Sequence, residues 1–185
     1  MTILVLFGLA ILQVAPIASG LTDGVQLVYG SAGVEQAPWV YDSVRVVERD
    51  GFDRCVVVWL RSQDAKESCV RDDTLSERTA AGAYRAIRPI GANMRLAVAT
   101  ASGNVLHYTT GDFTNWQISG TLDLPVLATT IVTRDSAGTI IRRLREEYAP
   151  TLLTAVSGLF EAPDADDGWK PVQEFSLVEV RVGRR

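Results

Sequence analysis

Histidine, lysine and cysteine are almost missing from this 185-residue chain: there is one histidine (His107), two lysines (Lys66 and Lys170) and two cysteines (Cys55 and Cys69). Each scarcity excludes something. A catalytic triad needs a nucleophile and a carboxylate converging on an imidazole. His107 sits in the strand-like NVLHYTT, where strand spacing places only Val105 and Thr109 on its face, so it reads as a partly exposed strand residue. Zinc takes three or four ligands from Cys, His and acids, and one histidine with two cysteines does not make a standard site. Asp164 and Asp166 are spaced like the first ligands of an EF-hand loop. Gly168 then falls at the third ligand and Trp169 where glycine is required, so DADDG reads as a hairpin tip. No phosphate-cradling glycine loop is present, and TAVSGLF lacks the first glycine of a nucleophile elbow. Asn93, Asn104 and Asn115 lack the Ser or Thr that N-glycosylation requires. No catalytic residue, metal ligand or cofactor is assigned.

Positive charge is also in short supply. The net charge is -4 and the pI near 5.0, against the basic surface a nucleic-acid binder carries. Charge is missing altogether from the first twenty residues, MTILVLFGLAILQVAPIASG. An apolar run from Ile3 to Ile17 followed by Ala18-Ser19-Gly20 suits signal-peptidase cleavage, although the usual basic start is lacking. The run is shorter than the ~20 residues of a spanning helix. Residues 1–20 are therefore read as a signal peptide, with an uncleaved membrane anchor as the alternative, and 21–185 as one exported domain, periplasmic or extracellular. No Pro/Gly/Ser linker divides that domain.

Export changes how the cysteines read. In an oxidising compartment a lone pair usually bridges, and closing such a loop stabilises a fold by roughly 3 kcal/mol in the chain-entropy model. In a symmetric hairpin turning through SQDAKE, Leu60 faces Cys69 and Cys55 faces Thr74. That separates the cysteines beyond the ~7 Å Cα limit for a bridge. A disulfide then requires a slipped register, a bulge or a short second strand. A Cys55–Cys69 disulfide is the favoured reading, with two buried free thiols as the alternative.

From Val25 onward, short apolar runs alternate with Asp- and Gly-containing turns. WVYDSVRVVER and RCVVVWLR flank DGFD; MRLAVAT and VLHYTT flank ASGN; LPVLATTIVTR and TIIRRLREEY flank DSAG; TLLTAVSGLFEAP and WKPVQEFSLVEVRV flank DADDG. SCVRDDTLSERT reads as a polar edge. AYRAIRPI alternates with Tyr84, Ala86, Arg88 and Ile90 on one side, and Pro89 confines it to an edge or strand end. TIIRRLREEYAP is ambiguous. Ile140, Ile141, Leu144 and Tyr148 share a helical face, but the preceding DSAG turn favours a strand. Eight or nine segments predict an all-β, antiparallel up-and-down meander, closed as a barrel or open as a strongly curved sheet, with room for one short helix.

Acids are scattered, and no spacing singles out a carboxylate pair. Glu146 and Glu147, beside Arg142, Arg143 and Arg145, read as a solvated charged face; anion binding by those arginines is the sharper alternative. Aromatic residues carry the positive hint. Trp39, Tyr41, Trp59, Tyr84, Tyr108, Phe160 and Phe175 lie in strand segments, and inward-facing ones would line a cup for one small ligand or simply fill a core.

The hairpins GLFEAPDADDGWKPVQEFSLVEV and APWVYDSVRVVERDGFDRCVVVW, following a signal peptide, resemble the lipocalin-like barrels of secreted bacterial proteins. The likeness is one of pattern over most of the mature chain. It implies a ligand-holding barrel. Gln36-Ala37-Pro38 precedes Trp39 where lipocalins have G-x-W, so no binding residue carries over. The expected function is a non-enzymatic, exported protein binding a small apolar or amphipathic ligand. The alternatives are an envelope interaction module holding a peptide, acyl chain or protein on an open sheet, and an enzyme with its site in the barrel mouth.

Overall fold

The computed structural model describes residues 25–31, 34–35, 39–60, 66–118, 122–166 and 168–182. The first twenty residues, read as a signal peptide, lie outside them. Thirteen strands are described: β1 (Val25–Ser31), β2 (Val34–Glu35), β3 (Trp39–Val47), β4 (Arg54–Leu60), β5 (Lys66–Arg71), β6 (Thr74–Arg78), β7 (Tyr84–Pro89), β8 (Arg95–Ala99), β9 (Val105–Ile118), β10 (Leu122–Arg134), β11 (Ile140–Ala149), β12 (Thr154–Pro163) and β13 (Trp169–Val182). No helix occurs among the described residues, and TIIRRLREEY is strand β11.

All strands belong to one antiparallel sheet, ordered β7-β6-β5-β4-β3-β1-β13-β12-β11-β10-β9-β8, with the short β2 beside β1. This is the cyclic order of an up-and-down barrel with one ladder missing. β7 and β8, consecutive in sequence, are the two ends of the sheet, so the barrel does not close. The sheet curls instead until its halves meet. Leu75 and Ile90 from one half pack against Tyr148 from the other, with Val70, Ile87, Leu153 and Ala155 around them. A second cluster joins Leu27, Tyr29, Leu124, Val126, Val156 and Leu177. A third joins Val98, Tyr108 and Ile131.

More strands form than the turn signals predict, and one reason is legible. SCVRDDTLSERT is a hairpin, not a single edge: Asp72 and Asp73 both adopt positive φ (48° and 54°) and reverse the chain between β5 and β6. Asp tolerates this left-handed conformation better than most residues, and two in succession suit a tight primed turn. The Asp73 side chain then lies against Gly91, where a Cβ would come within 2.5 Å of it, and the Asp73 carbonyl accepts from Ile90 N at 2.7 Å.

The cysteines meet through a register slip. Cys55 pairs directly with Cys69, and Val58 with Lys66, five places from the symmetric register that sets Leu60 against Cys69. Their Cα atoms are 4.0 Å apart and the sulfurs lie at bonding distance. Both side chains are buried.

Candidate functional site

The curled sheet encloses a cavity of about 750 Å³, within the usual range for small-molecule pockets. Its walls come from β6 and β7 on one side and β8, β9, β11, β12 and β13 on the other. Leu75, Ile87, Val98, Leu106 and Leu153 supply aliphatic surface, and Tyr29, Tyr108, Tyr148, Phe160 and Phe175 supply rings. Tyr29, Tyr148 and Thr154 are buried, whereas Arg85, Ala99, Ala101 and Gln173 are exposed. The cavity thus opens beside the start of β7 and the end of β8. At the opposite end of that seam, residues 90–94 tie the two strands together. Thr110 Oγ1 donates to Gly91 O at 2.8 Å and accepts from Met94 N at 2.8 Å, while Asn93 N donates to Gly111 O at 3.1 Å.

The buried end is closed by Tyr29. Its hydroxyl donates to Ala155 O at 2.7 Å and lies 3.0 Å from Thr154 Oγ1. Burial raises this phenol's pKa above the ordinary range, partly offset by the Thr154 bond. Phe175 lies edge-on to Tyr29 (6.0 Å between centroids) and tilted to Phe160 (5.9 Å). Phe175 reaches this position because its strand partner is Gly158: a Cβ there would come within 2.5 Å of the Phe175 ring.

Between mouth and base lies an ion pair. Arg88 of β7 reaches across to Glu146 of β11, and their side chains are 15% and 4% exposed. The guanidinium carbon sits 3.6 Å from the Tyr148 ring centroid and 5.6 Å from that of Tyr108. Burial lowers the Arg88 pKa while the neighbouring tyrosines act to raise it. Burial likewise raises the Tyr108 phenol, and the Arg88 charge opposes that rise. A guanidinium stays charged at neutral pH regardless, so one cation and one anion face each other inside an aromatic-lined space.

Three of the sequence-predicted ligand residues, Tyr108, Phe160 and Phe175, line this cavity. Trp39, Tyr41 and Trp59 belong to β3 and β4, and their side chains lie outside the described residues. Tyr84 does not join the others. Its ring packs on Phe52 at 4.5 Å and its hydroxyl donates to Glu67, which also accepts from Arg49 at 2.8 and 3.2 Å and from Arg78 at 3.3 Å. The hydrogen bonds from Arg49 and then Tyr84 hold the Glu67 carboxyl below its usual pKa. The cause of the correction is a bulge. Leu75 pairs with Arg88 and Ser76 with Ala86, so Ile87 is the extra residue. Ile87 and Arg88 both line the cavity, the alternation inverts, and Tyr84 moves to the other face.

The reading of Glu146 as part of a solvated face is also corrected. β11 is a strand with period two: Leu144, Glu146 and Tyr148 turn inward, while Arg143, Arg145 and Glu147 turn outward. Outside, Arg143 and Arg145 each make two hydrogen bonds to Glu161, at 2.6 to 3.1 Å, and Ser157 donates to Glu147 at 2.8 Å.

His107 is exposed, paired with Ala97 one residue before the inward Tyr108. Asp164 and Asp166 are exposed at the β12–β13 turn, where Asp164 N donates to Gly168 O at 3.0 Å. Among the described residues, no three His, Cys, Asp or Glu side chains are grouped to hold a metal ion. No family model, curated protein or solved structure matches the chain. The chemistry of the site is therefore read from its own geometry. Arg88 engages Glu146, and the site offers an apolar space holding two oriented charges.

Proposed function

We propose that this protein is an exported carrier that holds a small apolar or amphipathic molecule in the cavity behind β7 and β8, without transforming it. The observation that carries this reading is the cavity: about 750 Å³, walled by aliphatic and aromatic side chains, with polar groups at a few fixed points. Ligand transfer there removes apolar surface from water at roughly 25 cal/mol per Å². The buried cysteine pair, with sulfurs at bonding distance, supports an oxidising compartment. The lipocalin-like likeness of the hairpins points the same way.

Native mass spectrometry after incubation with lipid extract tests the reading, alongside titration with the neutral dye N-phenyl-1-naphthylamine. A bound small molecule and saturable dye fluorescence, both weakened in Tyr108→Ala, are the expected outcome. An unchanged intact mass together with no dye binding would sink it.

A second reading draws on a different observation. Among the described residues, β7 and β8 are the two ends of the sheet and each pairs with one strand, which leaves edges that an extended peptide could join as an added strand. Amide hydrogen exchange would separate the two: a partner peptide protects β7 and β8 backbone amides, whereas a cavity ligand protects residues of the wall.

A further inference from the structure

The charges around the cavity say what kind of head group it admits. We propose that the cavity selects an uncharged amphiphile, with an apolar body and a neutral head, such as a hydroxyl, that donates to Glu146 and accepts from Arg88. This rests on the carrier reading.

Four of the lining residues are charged, two of each sign. Glu77 and Arg85 are cross-strand partners toward the mouth, where Arg85 is exposed. Arg88 and Glu146 are the interior pair, and they already neutralise each other. The Tyr148 and Tyr108 rings hold the guanidinium in place. A carboxylate brought to Arg88 meets Glu146 and suffers like-charge repulsion in a poorly solvated space. An ammonium brought to Glu146 meets Arg88 in the same way. Either ion also gives up its hydration without gaining an unpaired counter-charge, and burying an uncompensated charge is far costlier than burying a hydrogen-bonded hydroxyl. Thr100, Thr154 and Gln173, the other polar lining side chains besides the tyrosines, are uncharged too.

The test is competition for the dye-loaded protein at neutral pH by three probes of one chain length: 1-decanol, decanoate and decylammonium. Decanol is expected to displace the dye at least about tenfold more effectively than either ion. Decanoate or decylammonium equal to or better than decanol would overturn the proposal and leave the carrier reading standing. Dye that fails to bind, with no heat of binding from any probe, would overturn the carrier reading and the proposal with it. Glu146→Gln sharpens the result by leaving Arg88 unneutralised, which should shift the preference toward decanoate by about tenfold. An unchanged ranking in a folded Glu146→Gln protein would count against the proposal. If that variant does not fold, the ranking in the unaltered protein decides alone.

Discussion

Strand β11 carries an ion cluster on each face, built from the same residue types. Outside, Glu161 is itself buried (4% exposed) beneath Arg143 and Arg145, but those arginines keep contact with water, at 24% and 55% exposure. The Arg143 guanidinium also lies 4.2 Å from the Trp169 ring centroid. Inside, Glu146 meets a single arginine between two tyrosines, and both partners are largely withdrawn from water. The outer cluster has better hydrogen-bond geometry and an excess of positive charge. The inner one has fewer partners and no solvent to replace a lost one. Context, not composition, decides what each is worth. Arginines that reach water lose little when their partner is removed, while breaking a pair in which both partners are withdrawn from water strands a charge.

The largest expected effect follows from that asymmetry. Glu146→Gln should lower unfolding stability by about 3–5 kcal/mol in urea denaturation, whereas replacing both partners, Arg88→Met with Glu146→Leu, should be near neutral or stabilising. Equal losses from the single and double changes would show that the inner pair is not behaving as a buried one.

The cysteine pair comes next. By strand alternation Cys69 shares a face with Glu67 and Arg71, opposite the inward Val70, so the pair braces the sheet on the side away from the cavity. Cys55→Ser with Cys69→Ser should cost about 3 kcal/mol by loop entropy, with little change in dye affinity. Thiol labelling of unfolded, unreduced protein should find no reactive thiol.

A smaller effect is expected at Gly158. Alanine there collides with Phe175 and must push the ring toward the cavity, costing about 1–3 kcal/mol and weakening dye binding. Full dye affinity would mean that the ring position does not shape the cavity.

The smallest effect is outside. Glu161→Gln weakens four hydrogen bonds to a buried carboxylate but leaves both arginines in reach of water, and should cost about 1–2 kcal/mol. Hydrogen bonding from Arg143, then from Arg145, holds the Glu161 carboxyl below its usual pKa. A depressed folded-state value means that its contribution is present above the unfolded carboxyl pKa, about 4.3, and is lost as pH falls through the lower folded value. Urea midpoints measured down through that range should fall less steeply in Glu161→Gln than in the unaltered protein.

Much of the fold was legible in the sequence because hairpin turns are local. DGFD, ASGN, DSAG and DADDG all mark reversals in the structure, and Gly51, Gly103 and Gly138 adopt the positive φ that such turns use. Pro89 marked an edge strand, and β7 is one end of the sheet. The site was less legible. Tyr108, Phe160 and Phe175 were read as inward candidates, but Arg88 and Glu146 were not, because their partners are 58 residues apart in sequence (146 − 88) and nothing local connects them. Strand alternation along LREEY could have signalled that Glu146 faces the same way as Leu144 and Tyr148, once the segment was accepted as a strand.

The sequence by itself determined the antiparallel hairpin pattern and the turns at DGFD, ASGN, DSAG and DADDG, since period-two patterning and turn chemistry act over a few residues. Only the tertiary structure decided where the sheet stops short of closing, which register sets Cys55 against Cys69, and which charges face inward. Those outcomes depend on bulges and on the meeting of distant strands, where one extra residue, Ile87, reverses every side chain before it.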